Sequence, residues 1–225
     1  MNNDLIRITT VLFAMIFSLS VHEAAHALAA KLEGDDTAER QGRLTLNPAA
    51  HIDFWGTLVL PIMGMMANAM ILGWAKPVPI DERNFRHRRL GQAFVAMAGP
   101  VSNLIMTFLC CLGLVAYQRY LTVALPEGSF LYPLVKLTGV MVYLNAGLAF
   151  INLVPLYPLD GGQTLMALLP RSGREWYETY IVPYGFMILI LLMMTKGLAW
   201  VSAFAGWYVE LSSLWASRII GVFGQ

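Results

Sequence analysis

Six long, largely uncharged runs organise the chain: Ile8–Ala30, Phe54–Gly73, Gly91–Gln118, Leu137–Leu159, Thr179–Thr195 and Gly197–Ser217. The last is interrupted by Glu210. As a helix, Ile8–Ala30 would be roughly 35 Å long, enough to cross a bilayer. The other runs read as helices of the same kind, with one exception. Phe54–Gly73 contains Gly56, Pro61, Gly64 and Asn68, which break helices, so it fits a re-entrant loop better than a simple span. Two polar stretches separate the early runs. In Glu33–Asp53, Gly42–Leu46 alternates like a short strand and Asn47-Pro48 reads as a turn. Lys76–Arg89 carries Pro77, Pro79 and five basic residues. The pattern predicts an all-α multi-pass membrane protein of about five to six transmembrane helices. One of these would be re-entrant, with a short strand or hairpin beside the functional site. No internal repeat is visible. The expected organisation is a single domain over 1–225, with a core over 5–170 and C-terminal helices over 179–223.

Composition agrees. Of the 225 residues, 57% are hydrophobic and only 13% charged, against about 25% charged in soluble domains. The lipid bilayer is therefore the expected surrounding. A net charge of +1 offers no basic field for nucleic acid. Cys110 and Cys111 are adjacent in an apolar run, which fits small packing residues rather than a disulfide or a CxxC metal site. The first apolar run leads directly into charged and imidazole side chains, so no cleaved leader is expected.

Those side chains carry the chemistry. His22-Glu23-Ala24-Ala25-His26 is HExxH. On a helix the two imidazoles lie one turn apart on one face and can hold one zinc ion, while Glu23 can reach water beside it. Ionisable residues at the end of an apolar run are costly and normally functional, although a polar cluster lining a pore would look similar. A catalytic zinc usually takes a third protein ligand. Asp160 and Glu210 are the candidates. Asp160 follows Pro155 and Pro158, which can turn it toward a site; Glu210 stands alone in its run.

HExxH in a membrane helix, followed much later by Asn152-Leu-Val-Pro-Leu-Tyr-Pro-Leu-Asp160-Gly161-Gly162, resembles the site-2 protease family of intramembrane metalloproteases. Gly42–Asp53, Gly73–Val78 and Ala98–Asn103 resemble its compact prokaryotic branch, in family order from about Ser20 to Gly162. The resemblance implies His22, His26 and Asp160 as zinc ligands and Glu23 as the catalytic carboxylate. It further implies Asn152 as a contact to the substrate strand or the oxyanion, with Asn103 a weaker candidate for the same work. His51 is a candidate substrate contact, a neighbour of the ligands or an interfacial residue. His87, among arginines, reads as a solvated loop residue. No segment is expected to hold a PDZ domain, and nothing from Arg171 onward carries a motif.

The implied reaction is peptide-bond hydrolysis in or near the transmembrane segment of a membrane-protein substrate. The Gly42–Leu46 strand is expected to pair with the unwound substrate. A metal or proton transporter, or an inactive scaffold of the same fold, would share some of these features. A shared zinc requires His22, His26 and Asp160 to lie near one membrane face. With Phe54–Gly73 re-entrant, that face carries the excess of Lys and Arg, so the active-site face is expected in the cytoplasm. Five crossings, an external N-terminus and a cytoplasmic C-terminus follow.

Overall fold

The computed structural model describes residues 2–67, 73–121, 129 and 131–223. Helix α1 (Asn2–Glu33) contains neither Gly nor Pro. It stops at Gly34, whose φ of 106° turns the chain while Asp35 N–H bonds back to Ala30 O at 2.9 Å. After a short α2 (Thr37–Arg40), a wide π-helical segment, Phe54–Val59, runs into α3 (Leu60–Met66). Helices α4 (Arg88–Tyr120) and α5 (Leu131–Asn152) pack on α1 and on each other. Then come α6 (Asp160–Leu168), α7 (Arg171–Tyr180), α8 (Gly185–Met194) and α9 (Ala199–Phe223). Among the described residues, four helical stretches are long and apolar enough to cross a membrane: Asp4–Glu33, Arg88–Tyr120, Leu131–Asn152 and Arg171–Met194.

Small side chains set the helix spacing. Ala14, Cys110, Cys111, Val142, Ala146, Ala205 and Ala216 form one buried cluster between α1, α4, α5 and α9. Such residues let helix backbones approach where lipid gives no hydrophobic drive to association. Both cysteines are buried and unpaired, as packing residues should be.

The segment after Asp53 leaves and returns at one end of the bundle. It descends until Met65 O lies 3.5 Å from Arg7, near the start of α1. By Trp74 the chain is back beside its own beginning. Trp74 N–H donates to Gly56 O at 3.2 Å, and Lys76 N–H to His51 O at 2.8 Å.

Gly42–Leu46 is not a strand, and no strand occurs among the described residues. Gly42 has a φ of 67°, and Arg43 N–H closes α2 by donating to Ala38 O at 2.8 Å. The Arg43 side chain is buried. It donates to Lys76 O (2.6 Å) and Pro77 O (3.2 Å).

The C-terminal third also departs from expectation. Contacts along α7 and α8 stay at the end of the bundle where α5 finishes. Arg174 reaches Gln92, Gly185 is pressed on Tyr157, and Leu189 and Leu192 pack with Val154 and Leu156. Pro183 interrupts this stretch in a 3-10 turn, and α8 alone, at about 15 Å, is too short to cross. Helix α9 then starts beside the same residues, with Val201 packed on Val154 and Phe204 stacked on Phe150. It continues past Leu104, which accepts from Tyr208, to Cys111, which lies 3.7 Å from Ser213 Oγ. Thus α9 runs parallel to α4, and its C-terminal end lies opposite the end where α5 finishes. The sequence-based expectation put both at the same end, because it counted Thr179–Thr195 as a crossing.

Tyr177, 5% exposed, ties α7 to the loop after α5. Its hydroxyl accepts from Tyr157 N–H (2.9 Å) and donates to Pro155 O (3.1 Å). Tyr177→Phe strands both backbone groups and should cost about 1 kcal/mol of stability, read as a lowered Tm in detergent.

Candidate metal centre

His22 and His26 face α4 from α1, and α4 takes a proton from each ring. His26 Nδ1 lies 2.7 Å from Val95 O, an atom that can only accept. His22 Nδ1 lies 2.5 Å from Asn103 Oδ1. The direction of that second bond is fixed from further away. Asn145 Nδ2 must donate to Met141 O (2.9 Å), and it also donates to Ser18 Oγ (2.9 Å). Its Oδ1 therefore accepts from Asn103 Nδ2 (2.7 Å). This leaves Asn103 Oδ1 toward the imidazole, as an acceptor. Ser18, Asn103 and Asn145 are essentially fully buried. In their neutral form both rings are therefore Nδ1–H tautomers that present the Nε2 lone pair to the same space.

Asp160, the first residue of α6, completes that space. Its Oδ2 is 3.1 Å from His22 Nε2 and its Oδ1 3.5 Å from His26 Nε2, while the two Nε2 atoms are 3.1 Å apart. The three ligand atoms lie within 4.8 Å of one another, and all three residues are buried. Asp160 Oδ2 has no hydrogen-bond donor. Two imidazole nitrogens and a carboxylate oxygen crowded this closely repel unless a cation, a metal ion or a shared proton, lies between them. The donor set, two imidazole nitrogens and a carboxylate oxygen, is one that zinc takes.

Two glycines make room. A Cβ on Gly99 would lie 2.4 Å from His26 Nε2 and 2.5 Å from His22 Nε2, so only glycine lets α4 pass this close to the rings. A Cβ on Gly161 would lie 2.5 Å from Leu153 O, which is what allows α6 to start directly over the loop that ends α5.

Glu23 opens into a cavity of about 820 Å³ together with His22, His26 and Asp160. Its Oε2 accepts from Val78 N–H at 2.9 Å. The cavity walls include Leu19 of α1, Trp74, Ala75, Pro77 and Val78 of the returning segment, Leu148, Ile151 and Asn152 of α5, and Phe186, Leu189 and Met193 of α8. Asn152, half-buried, lies in this wall and donates from Nδ2 to Leu148 O at 3.0 Å.

Two expected placements differ, and the less favoured candidate for third ligand lies elsewhere. Asn103 is enclosed and touches His22, not the cavity, so it orients a ring and is not placed to contact substrate. His51 is buried away from the cluster, with Nε2 2.9 Å from Thr45 O; its carbonyl helps to hold Lys76. Glu210 points outward from α9 and has no part in the cluster. The contributions of Val95 O, Asn145, Ser18 and Val78 left no mark in the sequence, because two are backbone atoms and the others look like ordinary helix residues. Gly99 and Asn103 stand in a segment that did resemble the family, but spacing alone does not say which groups they touch.

A Bacillus subtilis protein, YwhC, whose name describes a zinc metalloprotease, is 38% identical over 185 residues, covering 82% of this chain and 80% of that one. The chain belongs to peptidase family M50. The family's own description, Peptidase family M50, matches residues 121–194, which include Asp160. A second relative, Rip2 of Mycolicibacterium smegmatis, also bears a zinc-metalloprotease name. It is 27% identical over 220 residues, covering 96% of this chain and 78% of its own length. No solved structure matches the chain.

For this M50 protein, Asn103→Leu should weaken zinc binding about 10- to 100-fold by freeing the His22 ring. Asp160→Asn should also lower zinc content, and Glu210→Gln should leave it unchanged. Metal content after equilibration against a competing chelator reads all three.

Proposed function

We propose that this chain is an intramembrane zinc endopeptidase that cuts membrane proteins within or beside their transmembrane segments. The observation that carries the reading is the convergence of two imidazole lone pairs and the Asp160 carboxylate beside Glu23, inside a bundle of membrane-length helices. Bound zinc supplies a Lewis acid for the scissile carbonyl and makes water acidic near neutral pH. The residues do the rest. His22, His26 and Asp160 hold the metal, Glu23 takes the proton of the attacking water, and Glu23 then returns it to the leaving nitrogen. Asn152 still has an N–H to offer from the cavity wall and is assigned to the oxyanion or the substrate strand. The apolar walls suit the side chains of a transmembrane helix.

The topology follows from the direction of α9. In this reading α1, α4, α5 and the less apolar α9 cross, the segment from Asp53 to Lys76 is re-entrant, and α7 and α8, although apolar enough to span, lie across the active-site end. That end then carries Lys31, Arg40, Arg43, Lys76, Arg83, Arg86, Arg88, Arg89, Arg171, Arg174 and Lys196. Arg7, Arg119, Lys136 and Arg218 lie at the other. The excess of 11 over 4 supports a cytoplasmic active site with both termini outside. Single cysteines at Asn84 and Gly221, in a background lacking Cys110 and Cys111, should be labelled from opposite faces; labelling of both from the cytoplasm would return α7–α8 to a full crossing.

Activity is tested on purified protein with a transmembrane substrate. Glu23→Gln should reduce cleavage by about 10²–10⁴-fold with zinc content unchanged. Zinc flux through vesicles with no cleavage would instead favour a transporter.

A further inference from the structure

The segment that returns from the re-entrant loop ends in Lys76-Pro77-Val78-Pro79. Proline has no backbone N–H and a fixed φ, so Pro77-Val78-Pro79 offers a single backbone donor. That donor, Val78 N–H, is spent on Glu23 Oε2 at 2.9 Å. The Val78 side chain is buried against Ala27, one helical turn beyond Glu23 on α1, and against Ala38 of α2. The outer side of the segment is pinned as firmly. Arg43 donates to Lys76 O and Pro77 O, His51 O accepts from Lys76 N–H, and Thr57 Oγ1 donates to Trp74 O at 2.8 Å. Arg43 is itself only 8% exposed, an expensive place for a guanidinium whose visible bonds all go to this segment.

We infer that Pro77-Val78-Pro79 is a positioning strap for the catalytic carboxylate: the Val78 amide fixes one oxygen of Glu23 so that the other faces the reacting water, and Arg43 holds the strap in register from behind. The inference rests on the reading of Glu23 as general base. A glutamate has three side-chain torsions, and a carboxylate free to rotate loses the aligned geometry on which proton transfer depends. A hydrogen bond from a pre-ordered amide removes that freedom without placing another side chain in the cavity, and the two prolines keep the amide from turning away.

The test replaces the Val78 backbone amide by an ester, which deletes the N–H and keeps the side chain. With zinc content unchanged, kcat on a transmembrane substrate should fall about 10- to 100-fold while KM stays near the wild-type value. Val78→Ala, which keeps the N–H and loses packing, should fall much less than the ester. Arg43→Met should lower kcat in the same way as the ester, and Arg43→Lys, which can still donate to Lys76 O, should recover part of the loss. An ester variant with wild-type or raised kcat, or one matched by Val78→Ala, overturns the strap. If the ester variant fails to retain zinc, the Arg43 pair decides, and equal activity of Met and Lys at that position overturns it. Glu23→Gln runs alongside: full activity there would sink the general-base reading itself, whereas a dead Glu23→Gln beside an unaffected ester would sink only the strap.

Discussion

The site depends on which way a short chain of buried hydrogen bonds points. Met141 O, in the middle of α5, can only accept, and from that atom the donors and acceptors of Asn145, Asn103 and His22 follow one after another. Val95 O does the same for His26 in one step. Each ring therefore has its proton on the side away from the cavity. Were either amide reversed, His22 would meet an N–H and turn its lone pair outward, away from Asp160. In an apolar bundle such an error has no cheap repair, because no water is at hand to satisfy the stranded groups.

The same chain explains the packing around it. Asn103 and Asn145 can link α4 to α5 only if the helices lie close, and Ser18 brings α1 into the link. Small residues at the shared interface permit that approach. Gly99 then lets the backbone of α4 slide over the imidazoles, so that the rings are wedged between their hydrogen-bond partners and a helix surface. Rigidity here comes from polar groups satisfied within the protein and from short side chains, rather than from large interlocking ones.

How far the sequence could be read depended on the kind of group involved. HExxH was legible because two histidines four apart on a helix have only one arrangement, and Asp160 because prolines and glycines announce a turn. The return of the chain after Phe54 was legible from Pro61 and its glycines, and the structure brings Trp74 back beside Gly56. Asn103 was found but misassigned: an amide in a membrane helix reads alike whether it faces substrate or a ligand ring. The Gly42–Leu46 strand was a wrong period reading over too few residues, overruled when Arg43 turned inward. The crossing count rested on hydropathy, which records only that a segment is long and apolar, as Arg171–Met194 is; the contacts that hold α7 and α8 at the end of the bundle where α5 finishes are tertiary and leave no mark in it.

That covering segment accounts for the motif-less last third. Helical backbone satisfies its own N–H and C=O groups, so a helix can present only side chains to a site. Bringing in Asp160 requires the broken loop from Leu153 to Leu159, whose backbone groups need partners elsewhere. Irregular backbone at membrane depth is tolerated only where protein buries it or a cavity borders it. Both conditions are met by α7 and α8. Tyr177 takes up Tyr157 N–H and Pro155 O, Gly185 lies against Tyr157, and Leu189 and Leu192 close over Val154 and Leu156. The face of α8 that shields the loop also puts Phe186, Leu189 and Met193 into the cavity wall. The residues that stabilise the Asp160 turn are therefore among those that line the cavity, which ties the position of Asp160 to the shape of the site.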